Sequence, residues 1–104
     1  MIDATPFVKD DGAKLELYVY CYYDKVLDRF NEPIANRDEP GFIIEGLRGT
    51  LLKGKGVELK GLILVQLGTF DVTTGKFNIF EKPISLLDVD AVFEKIANKE
   101  VKDA

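Results

Sequence analysis

The chain has no histidine and no tryptophan, and only one cysteine (Cys21), one methionine (Met1) and one serine (Ser85). Each shortage removes a class of chemistry. Without imidazole there is no histidine general base, no serine triad and none of the common zinc sites. A lone cysteine closes no internal disulfide, which fits a reducing cytosol. Cys21 falls among the core-facing positions of a strand, so it is poorly placed as a nucleophile. No apolar run reaches the roughly 18–20 residues that cross a bilayer, and no membrane partner is expected. Met1-Ile2-Asp3-Ala4-Thr5-Pro6 lacks a basic start and an apolar core, so no signal peptide is expected. Positive charge is also short. The net charge of −4 argues against a general grip on phosphate backbones, which usually shows as a basic domain, although a local basic patch remains open.

Carboxylates are plentiful, with 18 in all. Asp10-Asp11 and Asp88 with Asp90 read as turn and cap residues, and Asp71 precedes a hairpin turn. No catalytic residue, cofactor or metal is expected. The 104 residues, 46% of them hydrophobic, suit a single domain over 1–104 with a modest core.

The structural centre is the stretch from Val57 to Phe80. Leu62-Ile63-Leu64-Val65-Gln66-Leu67 is apolar on both faces of a strand, which predicts a central strand covered on both sides or one strand in a tight dimer. A buried helix is disfavoured by Gly61 and Gly68, since glycine inside a helix costs about 1 kcal/mol relative to alanine. Val72 to Gly75 has the makeup of a type I turn closed by a left-handed glycine. Lys76 to Phe80 then alternates polar and apolar. The pattern predicts a hairpin of about 57–72 with 76–81, broken by Glu81-Lys82-Pro83.

Residues 1–13 read as a loosely ordered lead-in, with Pro6 and Asp10-Asp11-Gly12 as turn signals. Lys14–Tyr23 reads as a strand. One face carries Leu15, Leu17, Val19, Cys21 and Tyr23, and the other Glu16, Tyr18, Tyr20 and Tyr22. The first is core. The tyrosine row has two readings: a surface covered by a helix or a partner subunit, or a stacking platform for unpaired bases, at about 1–3 kcal/mol per base.

Asp24–Asp38 reads as a polar connection. Asp38 is the expected N-cap of a helix over Glu39–Leu52, with Pro40 in its first turn. Phe42, Ile43, Leu47 and Leu51 lie at helical spacing, weakened by Gly41, Gly46 and Gly49. Arg48, Lys53, Lys55 and Lys60 form the one basic concentration. They are either a solvated helix end, where cations suit the dipole, or a phosphate-contacting patch. Lys53-Gly54-Lys55-Gly56 lacks Walker spacing, so nucleotide binding is not indicated. Ser85 or Asp88 caps a last helix of about 88–98, with Val89, Val92, Phe93, Ile96 and Ala97 as its apolar stripe. Glu100–Ala104 reads as a loose tail.

Several of these residues carry a resemblance. Leu17-Tyr18-Val19-Tyr20, then Tyr23-Asp24-Lys25, a polar loop, a helix start at Asn36–Asp38, and Leu64-Val65-Gln66-Leu67-Gly68-Thr69-Phe70-Asp71 with Thr74-Gly75-Lys76 resemble the small nonstructural protein of gokushoviruses. These are microviruses, phages with circular single-stranded DNA genomes. The resemblance covers roughly residues 15–80, and its most specific part is Gly68 to Gly75. It implies a phage protein made in the host bacterial cytoplasm and absent from the capsid shell. It further implies DNA binding, or a part in genome synthesis and packaging, and brings no catalytic residues.

The expected fold is α+β: a small, mostly antiparallel sheet of about three strands with two helices, in the order β-α-β-β-α. The crossover through the first helix leaves a parallel first pair open. A homodimer is the simplest cover for a tyrosine-rich face. Three functions follow. The first is a phage accessory protein binding single-stranded DNA, with Tyr18, Tyr20 and Tyr22 stacking bases and Arg48, Lys53, Lys55 and Lys60 meeting phosphates. The second is a protein–protein module, a scaffold or host-factor inhibitor, with the tyrosine face as its interface. The third and weakest is an enzyme using carboxylates alone.

Overall fold

The computed structural model describes the backbone of residues 16–103 and the side chains of residues 16–98. The expected lead-in at 1–13 lies outside the described residues. The described elements are β1 (Glu16–Asp24), β2 (Arg29–Phe30), β3 (Ile34–Asn36), α1 (Pro40–Leu52), a 3-10 turn (Val57–Leu59), β4 (Leu62–Asp71), β5 (Lys76–Asp88) and α2 (Val89–Asp103). The class is α+β with two helices, as expected. The sheet, however, has five strands in the order β2-β1-β4-β5, with β3 also paired to β1.

All pairings are antiparallel. The segment read as a polar connection folds back along the outer edge of β1. Asp24 Oδ1 accepts bonds from the Val26 and Leu27 amides, 2.9 and 3.0 Å, which turns the chain at once. Two short pieces then pair with β1, Tyr23 opposite Phe30 and Val19 opposite Ala35. This extra reversal settles the open question of direction. It is β3 and β4 that run parallel, one on each side of β1, joined by the α1 crossover, while β1 and β4 are antiparallel.

The apolar run Leu62–Leu67 lies in β4, between β1 and β5. Leu64 faces the helices and is 4% exposed; Val65 faces away and is 5% exposed, so this strand is covered on both sides as its sequence predicts. The core joins Tyr20, Leu51, Leu64, Leu87, Val89 and Val92, with Ile43, Leu47, Phe93 and Ile96 packed around them. Both helices therefore lie on the tyrosine side of the sheet. Val19 and Cys21, on the other side, are buried too.

Helix boundaries shift by small amounts for local reasons. Asn36 Oδ1 takes the Asp38 amide at 2.8 Å, and the chain enters α1 one residue later than predicted. Glu39 is the N-cap, without a side-chain bond, and Pro40 follows in the first turn. The end of α1 is a Schellman closure: Gly54 N–H reaches Leu51 O (2.9 Å) and Lys55 N–H reaches Thr50 O (3.2 Å), with Gly54 at φ +78. Asp88 caps α2 through its Oδ1, which accepts the Asp90 amide at 3.1 Å. The helix then runs to Asp103, past the expected end.

The β4–β5 hairpin turns as expected. Asp71 Oδ1 accepts the Thr73 and Thr74 amides, and its carbonyl accepts the Gly75 N–H at 2.7 Å, with Gly75 at φ +74. The second strand does not stop at Pro83, however. It continues to Asp88, with Phe80 to Pro83 set against Leu67 alone. Proline is tolerated there because β5 is an edge strand and needs no outward donor. β4 is irregular at the same place against β1, and Gln66, 6% exposed, bridges the irregularity by donating to Gly68 O at 3.2 Å.

Gly68 is the tight point. A Cβ there would overlap the Asn78 carbonyl oxygen and lie 2.9 Å from Ile79 Cα, both main-chain atoms. By contrast, a Cβ on Gly46 in α1 meets nothing within 4 Å. Urea unfolding should therefore show Gly68→Ala losing at least about 3 kcal/mol, as backbone clashes do. Gly46→Ala should gain about 0.5–1 kcal/mol from helix propensity.

Candidate nucleic-acid interface

Tyr18, Tyr20 and Tyr22 share the face that the helices cover. Tyr20 is 5% exposed and sits in the core against Leu51 and Leu64. Its hydroxyl donates to the Asp38 carbonyl at 2.7 Å. Tyr18 and Tyr22 are half-buried against the same cluster, and the Tyr18 and Tyr20 rings stack with centroids 6.3 Å apart. Burial, with the nearby Tyr18, Asp38 and Glu39 charges, pushes the Tyr20 phenol up to about 12. Tyr20 is thus part of the core, and Tyr18 and Tyr22 are half-buried beside it against the same cluster. Tyr20 has no face free for a base, which corrects the three-residue stacking platform.

The basic residues stand differently. Arg48 is exposed on α1, its guanidinium 3.5 Å from Glu45 Oε1. Lys53 and Lys55 are exposed within the Schellman closure, where cations suit the negative end of the helix. Lys60 turns elsewhere: its ammonium lies 5.2 Å from the Phe93 ring centroid. Lys53 and Lys55 therefore sit in the closure after α1, Arg48 stands earlier on the helix, before its last turn, and Lys60 is directed toward α2. It also adds a cation that sequence reading passed over. Lys95, one helix away, lines a groove together with Arg48. Its helical phase marks it only as solvent-facing, which is why it drew no notice.

A second missed group is an ion-paired knot. Lys25 Nζ reaches Asp88 Oδ1 at 3.1 Å and Asp90 Oδ2 at 2.9 Å. Asp90 Oδ1 also accepts the Gly61 N–H at 3.0 Å, and Lys25 N–H donates to Gly61 O at 2.9 Å. The knot joins the β1–β2 turn, the start of β4 and the first turn of α2. No sequence signal links residues 63 apart in this way. Its chemistry is structural. The Lys25 ammonium, then the Gly61 amide, holds the Asp90 carboxyl below its usual range.

Burial pushes the Cys21 thiol up, which disfavours the nucleophilic thiolate. Among the described residues, no group of three or more cysteine or carboxylate side chains is placed to hold a metal. No described helix is long and apolar enough to cross a membrane. Comparison with family models, curated proteins and solved structures finds no match.

The knot predicts a pH dependence. A carboxyl whose folded pKa is depressed stabilises the fold above its unfolded value, near 4, and loses that contribution as pH falls through the folded value. Asp90→Asn should lower stability at pH 7 by up to about 1 kcal/mol, the range for partly exposed pairs. Its deficit against the wild-type chain should shrink in urea melts as pH falls below about 4, the unfolded value.

Proposed function

We propose that this chain is an accessory protein of a small single-stranded DNA phage, made in the host bacterial cytoplasm, that acts by binding and not by catalysis. Its ligand in this reading is single-stranded DNA, met during genome replication or packaging. The supporting observation is three exposed cations on and just after α1: Lys53 and Lys55 within its hydrogen-bonded closure, and Arg48 earlier on the helix. The gokushovirus resemblance points the same way, and its most specific residues, Gly68 to Gly75, lie in the hairpin that carries the sheet. With Tyr20 buried, contact falls on phosphates. Three or four phosphate contacts make binding weak and steeply salt-dependent, with a slope of log K against log salt of about −2 to −3.

A second reading keeps the chain as a protein–protein module, a scaffold or host-factor inhibitor. Its specific support is the outer strand β5, where Phe77, Ile79 and Ile84 are 60%, 58% and 47% exposed. Apolar side chains along an edge unpaired among the described residues suit another chain better than a polyanion. The homodimer inferred as a cover for the tyrosines loses that motive, because α1 and α2 supply the cover.

Fluorescence anisotropy with a labelled oligothymidylate at two salt concentrations separates the readings. DNA binding predicts a complex at low salt that weakens steeply with salt, is lost in Lys53→Glu/Lys55→Glu, and is unchanged in Tyr20→Phe. No complex at low salt overturns it, and light scattering on the free protein then tests the β5 edge.

A further inference from the structure

A groove of about 380 Å³ runs between the end of α1, the start of α2 and the last turn of β5. Arg48 and Leu52 stand four apart on α1, and Ala91 and Lys95 four apart on α2, so each pair forms a stripe along the groove. Leu87 and Val92, each 8% exposed, also line it, and Leu52 is 60% exposed. An exposed leucine beside nearly buried ones marks apolar surface that the described residues leave open.

The charges on the lining have a sign. Arg48 and Lys95 carry two positive charges into the groove. The one carboxylate among the lining residues, Asp88, is already engaged by Lys25 at 3.1 Å. Arg48 has only the long 3.5 Å contact to the exposed Glu45. An apolar trough with two available cations complements an apolar group that ends in a carboxylate. Arginine matches a carboxylate with paired donors, and lysine adds a point charge.

We infer that this groove captures the C-terminal residue of a partner protein, an apolar side chain seated on Leu52, Leu87 and Ile96 with its terminal carboxylate on Arg48 and Lys95. A volume of about 380 Å³ is small for a ligand site and suits one or two side chains better than an extended ligand. Terminal-carboxylate capture is a recurrent mode of peptide recognition. The inference shares Arg48 with the DNA reading but needs Lys95 and neither Lys53 nor Lys55, so the two fail separately.

The test uses a fluorescein-labelled hexapeptide ending in phenylalanine and leucine, with a free C-terminus or a C-terminal amide, and decanoate as competitor. The free acid should bind at least about tenfold more tightly than the amide, the worth of a charge-assisted hydrogen bond. Arg48→Met and Lys95→Met should each remove most of that preference. Ala91→Phe, at an exposed helix position, should fill the groove and abolish binding while circular dichroism stays unchanged. Lys53→Glu/Lys55→Glu should leave peptide binding intact. Equal binding of acid and amide overturns the inference, as does no binding of either. Decanoate binding more tightly than the peptide overturns it in favour of a free acyl acid.

Discussion

The main chains of β4 and β5 meet at Gly68 with no room for a side chain, and most of the architecture depends on that contact. Asn78 and Ile79 lie where a Cβ would project. Such an approach requires glycine. It lies beside the place where both ladders slip, at Leu67, and Gln66 spans the slip with a hydrogen bond to Gly68. Beyond the slip β5 resumes pairing and delivers Leu87 and Val89 to the core. The two helices close over the same side of the sheet. The Gly68–Gly75 motif therefore has a structural reason at three of its positions: close packing at Gly68, amide capture by Asp71, and left-handed backbone at Gly75.

Strong, local patterns were legible before the fold. The Leu62–Leu67 run could only be a strand buried on both sides or a helix, and flanking glycines decided between them. α1 and α2 announced themselves through proline, cap and apolar spacing. β2 and β3 did not, because two- and three-residue strands are too short for a period to register, and their residues are mostly exposed. β5 was cut short at Pro83 because edge position, which makes proline harmless, is a property of the sheet and not of the segment.

The tyrosine row shows a different limit. Alternation along β1 separates two faces, but both were apolar enough to be covered, and nothing local tells which receives the helices. Tyr20 answers through a long-range bond to the Asp38 carbonyl just before α1. The Lys25–Asp88–Asp90 knot and the Arg48–Lys95 groove are likewise products of tertiary meeting. The result is a division of labour. Aromatic residues of the first strand pack into the core, while Arg48 on α1, Lys53 and Lys55 just after it and Lys95 on α2 are exposed. For an acidic chain, the proposed contact with a polyanion has to be local.

Residue-resolved mapping asks most directly where that contact is made. In a two-dimensional amide NMR titration with an oligothymidylate of about 12 nucleotides, within the site sizes known for single-strand binders, the shifts should concentrate at Arg48–Lys55 and leave the Tyr18–Tyr22 amides in place. Shifts centred on Tyr18–Tyr22, or none anywhere at low salt, would contradict the account.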